Sequence, residues 1–292
     1  MRATLLAVCC LALAALGLAA CAHAPPAATS PTSFRVEVAG HGRPVVLIPD
    51  LAVSGAAWDT TVAHLGGRVQ THALTLPGFA GQPPVEGPIL PRVARELARY
   101  LRERGLQDVV VVGHMFGGAV AYSLAVDAPD LVGGLVVIDL LPCQSALGEP
   151  DEPRAQVLAE ARETHAVLAS RPPSVEQQER RLRSMVTDPA LARQLAEQGS
   201  RSSARALADA FLELMQLDLR DAVRALRPPA LIVVTDLTYP PEAWETILAR
   251  WRLQIDPIPR HELVEVRDAH HYVMFDQPEA WFAALDRFLG IP

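Results

Sequence analysis

The chain has 292 residues, half of them hydrophobic, which is enough for one large domain or two small ones and excludes a disordered chain. Lysine plus arginine number 26 against 33 aspartates and glutamates, a net charge of −7. No basic run exists that could displace counterions from a phosphate backbone, so nucleic acid is not an expected partner.

At the N-terminus, Arg2 precedes an apolar run over residues 5–20 that is too short and too early for an ordinary membrane span. Residues 1–20 therefore read as a secretory signal. The run ends in Leu18-Ala19-Ala20-Cys21, which resembles the lipobox of bacterial lipoproteins, and the resemblance implies a lipid anchor on Cys21. An exported lipoprotein of the cell envelope is expected, with Ala22 favouring the outer membrane, facing the periplasm. Each buried acyl methylene contributes about 0.8 kcal/mol, so several acyl chains hold a protein permanently. Cleavage before Cys21 leaves only Cys21 and Cys143, too few for a disulfide framework. Residues 21–33 carry Ala, Pro, Thr and Ser without an apolar period and read as a flexible tether, with folding expected to start near Phe34.

Beyond Phe34 the pattern alternates between strands and helices. Short β-branched runs at 45–48, 72–76, 109–112, 135–138, 231–234 and 262–266 predict an α/β fold, a mostly parallel sheet covered on both faces. Between Pro142 and Pro228 the period is helical throughout, over Arg154–Ser170, 175–185 and 205–216. Residues 143–225 thus read as a helical cap inserted into a core made of 34–142 and 226–292.

The segment Val109-Val110-Val111-Val112-Gly113-His114-Met115-Phe116-Gly117-Gly118 predicts a buried strand turning sharply into a helix near Ala119. It resembles the nucleophile elbow of the α/β-hydrolase superfamily, whose esterase-like members carry serine between the two glycines. The resemblance runs from about Phe34 to Pro292, interrupted by the cap. It places Met115 at the nucleophile position, and a thioether has no proton to lose and cannot attack as oxygen or thiolate does. By the same resemblance, the backbone N–H groups of Leu51 and Phe116 form the oxyanion hole. Asp50 then stands at a glycine position, where a carboxylate opposes the hole unless its side chain turns away. Leu74-Thr75-Leu76-Pro77-Gly78-Phe79-Ala80-Gly81-Gln82 is similar to a loop that walls the pocket in these enzymes. His270-His271-Tyr272 resembles the segment supplying the catalytic base, with His271 the base and His270 in place of a glycine. The resemblance implies Asp139 as the acid, with Asp236 in reserve; Thr238 falls where a late acid would stand.

These departures imply a degenerate hydrolase that binds a small apolar or acyl ligand without turning it over. The alternative is an active enzyme, using a His271/Asp139 dyad or another nucleophile such as Cys143, or an ordinary esterase in which Met115 is an altered residue. Packing is the ordinary reading for Cys143 and for Trp58, Trp244 and Trp281. His41, His64, His72, His114, His165 and His261 show no metal-ligand spacing, and the elbow lacks the Lys and Ser/Thr of a phosphate loop. No metal or nucleotide cofactor is expected.

Overall fold

The computed structural model describes residues 33–147 and 153–291, so the signal, Cys21 and all of the tether but Ser33 lie outside the described residues. In chain order the first part of the core runs β1 (Arg35–Gly40), β2 (Pro44–Ile48), α1 (Asp59–Leu65), β3 (Gln70–Thr75), α2 (Ile89–Glu103), β4 (Val109–His114), α3 (Phe116–Asp127) and β5 (Val132–Ile138). Four helices follow, α4 (Arg154–Ser170), α5 (Val175–Leu182), α6 (Pro189–Gly199) and α7 (Ala204–Gln216). The chain then returns through β6 (Ala230–Thr235), α8 (Trp244–Ile255), β7 (His261–Val266), α9 (Val273–Asp276) and α10 (Pro278–Leu289).

The strands form one sheet in the order β1-β3-β2-β4-β5-β6-β7, parallel except for β1, which runs antiparallel along β3 at the edge. The six apolar runs became β2 to β7. β1 is an addition: Val36 and Val38 alternate with Arg35 and Glu37, and nearly every side chain is exposed, so the hydrophobic signal of a buried strand is missing. In β4, Val109 and Val111 enter one core layer with Leu97 and Phe116. Val110 and Val112 enter the other with Trp58 and Trp281. A strand buried on both faces needs helices on both, which is why its sequence is a continuous apolar run.

The chain leaves β2 for β3 on one side and returns to β4 on the other, so the carboxyl ends of β2 and β4 lie side by side at a topological switch point. The cap covers the sheet through named bonds. Within it, α4 packs on α7 and α5 on α6. The Glu213 carboxylate on α7 accepts the N–H groups of Ile89 and Leu90 at 2.9 and 2.7 Å, satisfying an α2 N-terminus that has no side-chain cap of its own. Gln198 Oε1 on α6 accepts the N–H and hydroxyl of Ser54 at 3.0 and 2.8 Å. α5 stops at Leu182, short of the expected 185, while α6 is started by Asp188, which accepts the Ala190 N–H, with proline in its first turn.

Candidate functional site

The elbow is one residue wide. Met115 has φ 45° and ψ −107°, and α3 begins at once at Phe116 rather than near Ala119 as expected, because that single residue absorbs the whole change of direction. Such a backbone costs on the order of 1–3 kcal/mol and persists only where its surroundings over-determine it. The glycines show how tight they are. A Cβ on Gly117 would stand 2.1 Å from the Ile48 carbonyl oxygen, and one on Gly113 would stand 2.3 Å from that of Gly117. Strand β2, the elbow and α3 therefore meet backbone to backbone.

His271 follows β7, and its segment is held by the Tyr272 N–H, which donates to the Met185 carbonyl of the cap. Its Nδ1 pairs with Asp139 Oδ2 at 3.0 Å. Asp139, at φ 50° just past β5, also accepts the Thr235 N–H at 2.9 Å and the Thr235 hydroxyl at 2.7 Å. The structure thus brings Asp139 to His271 and sends Asp236 elsewhere, to the Ala269 N–H and Arg267. Thr235 was not singled out in the sequence; a threonine ending a buried strand carries no signal of its partner.

Asp50 does not turn away. Its Oδ1 accepts the Phe116 N–H at 3.4 Å, and its Oδ2 lies 3.5 Å from His271 Nε2. The carboxylate is thus bonded to one of the two N–H groups expected to form the oxyanion hole. Leu51, which carries the other, is buried beside it. Burial alone would push Asp50 up, but the hydrogen bond and positive charge of His271 hold it down at about 2. Burial would conversely lower His271, and the Asp139 and Asp50 carboxylates overcome it and raise the imidazole to about 9. The two carboxylates thus favour the charged form of the imidazole, whereas a base for serine chemistry needs it neutral.

His114, the last residue of β4, completes the cluster. It is 1% exposed, its ring lies 4.3 Å from that of His271, and its Nε2 has no hydrogen-bond partner. Burial, reinforced by repulsion from His271, pushes it down to about 3. His270 turns away, its Nδ1 reaching Asp276 at 3.0 Å and Thr187 at 3.2 Å. Cys143 is buried and bonded to Gln254 and Ser145, not to His271. Trp58, Trp244 and Trp281 are core residues.

Known proteins resemble this chain to different extents. A pimeloyl-[acyl-carrier protein] methyl ester esterase of Aeromonas hydrophila is 34% identical over 120 residues, 40% of this chain and 45% of that protein. A soluble epoxide hydrolase of a Corynebacterium species is 30% identical over 105 residues, 36% of this chain and 37% of that one. The chain thus spans less than half the length of these curated relatives. Among solved structures, an esterase from Thermogutta terrifontis superposes with a TM-score of 0.71 at 23% identity, covering 88% of this chain and 93% of that one. A bromoperoxidase from Bacillus anthracis does so with a TM-score of 0.73 at 18% identity, covering 88% and 95%. At these identities the superpositions speak for the fold alone. The model of the alpha/beta hydrolase family matches residues 45–285, from the second strand through the elbow and cap to the last helix, and by that match the chain belongs to the alpha/beta hydrolase family.

Proposed function

We propose that this chain is an envelope-anchored lipoprotein of esterase-like descent whose serine-type ester hydrolysis is lost, and whose site binds a small apolar or acyl ligand without turnover. One observation carries the reading: the Asp50 carboxylate lies on the Phe116 N–H and against His271 Nε2, so negative charge sits where a tetrahedral oxyanion would need donors. Met115 at the turn removes the attacking oxygen as well. Loss of a triad serine alone costs on the order of 10⁶ in kcat. The anchor at Cys21 and the outer-membrane location, facing the periplasm, rest on the N-terminal residues. The acyl ligand class is supported by the methyl ester esterase among the relatives.

The test is hydrolysis of a panel of short-chain esters by the chelator-treated protein. No turnover above a buffer control is expected. Turnover that disappears in His271→Ala contradicts the proposal.

The same pair of residues favours a second reading. Asp50 Oδ2 is itself an oxygen within 3.5 Å of the imidazole, and a carboxylate can attack an electrophilic carbon, expel its leaving group and form an enzyme ester that water then hydrolyses. Turnover in ¹⁸O-water that labels the Asp50 peptide supports this route; an unlabelled peptide after turnover rejects it.

A further inference from the structure

We propose that Asp50, His114 and His271 form a binding site for a divalent first-row transition cation, with Zn²⁺ the species that fits them best. The three residues come from the ends of β2 and β4 and from the segment before α9, and all three are buried. One ligand atom from each lies within 4.8 Å of the other two. Ligand atoms around a tetrahedral cation with bonds of about 2.0–2.1 Å stand roughly 3.4 Å apart. The 3.5 Å between Asp50 Oδ2 and His271 Nε2 is close to that spacing, and the ligand atom of His114 lies within 4.8 Å of both partners.

Two further features point to a cation. His271 presents Nε2 because its Nδ1 is committed to Asp139, which is fixed in turn by the N–H and hydroxyl of Thr235. Carboxylate–histidine pairs of this kind orient the imidazole in metal sites. Independently, His114 Nε2 is a buried polar atom without a partner, an arrangement that native interiors rarely leave unexplained. Two imidazoles and one carboxylate suit Zn²⁺ or Co²⁺. Mg²⁺ and Ca²⁺ require six or more oxygen ligands, which this set does not offer. Three protein ligands leave the fourth tetrahedral position for water or a ligand.

The proposal uses the Asp50 geometry but does not depend on lost hydrolysis, because binding is read without turnover. The full chain, purified in detergent without a histidine tag and stripped with chelator, is titrated with Zn²⁺ by calorimetry and with Co²⁺ by visible absorption. One ion per chain is expected, with the visible bands of four-coordinate Co²⁺. His114→Gln and Asp50→Asn should each weaken binding at least 100-fold, and Asp139→Asn 10- to 100-fold through loss of His271 orientation. Circular dichroism identifies which variants remain folded. Absence of stoichiometric binding by the folded wild-type chain overturns the proposal. So does binding unchanged in whichever of His114→Gln and Asp50→Asn folds. Ester turnover by the stripped chain contradicts the lost-hydrolysis reading and leaves the cation site standing.

Discussion

On the proposed reading the methionine at the elbow offers no attacking oxygen, and Asp50 adds an obstacle of another kind, because it occupies a donor that an introduced serine would need and, with Asp139, favours the charged imidazole. Met115→Ser alone should therefore stay within about tenfold of background on short esters in a spectrophotometric ester assay, although it rebuilds the elbow's chemistry. Residue identities at this scale were largely legible: Met115, His271 and Asp139 stand out against the glycines and strand ends around them. The direction of the Asp50 side chain was not, since turning outward or inward depends on His271, which lies far along the chain. The place of His114 beside Asp50 and His271 was not legible for the same reason. Its neighbours in sequence hold no ligand spacing, and its partners arrive from β2 and the segment after β7.

At the scale of elements, the elbow works because β2, β4 and α3 touch through bare backbone. Gly117→Ala forces a Cβ into the Ile48 carbonyl, and overpacking of this kind should lower stability by about 1–3 kcal/mol, read as a shifted urea midpoint with an unchanged slope. The cap depends on individual bonds. Glu213→Ala leaves two α2 N–H groups unpartnered and should cost about 1–2 kcal/mol, measured in the same way. Elements were read well where burial imposes a pattern, as in β4, and poorly where it does not. β1 is an edge strand whose alternation is masked by exposure on nearly every side chain. α6 is announced by Asp188 and Pro189, but that proline reads equally as a break between helices.

For the whole molecule, one mostly parallel sheet with an inserted cap holds the site at its switch point, so stability and site geometry are linked. His72 on β3 is buried against Tyr100, with Nδ1 2.8 Å from the phenol oxygen, and burial, helped by the charge of Arg104, pushes it down to about 4. The unfolded chain therefore takes up this proton first, and between about pH 6.5 and pH 4 it binds more protons than the folded one. Stability should fall as pH falls through that window, and His72→Gln should flatten the dependence of the urea midpoint on pH. The alternation of strands and helices made this architecture legible, whereas the cap's bonds to Ser54, Gly78 and α2 join residues too far apart for any local pattern. If the anchor is as proposed, Cys21→Ala should move the protein from the membrane fraction to the soluble envelope fraction on cell fractionation.

The most direct measurement compares Met115→Ser with the Asp50→Gly/Met115→Ser double variant on an activated p-nitrophenyl ester, following the burst of acyl-enzyme formation. The account predicts a stoichiometric burst in the double variant and none in the single one. A burst from Met115→Ser with Asp50 still in place would contradict it.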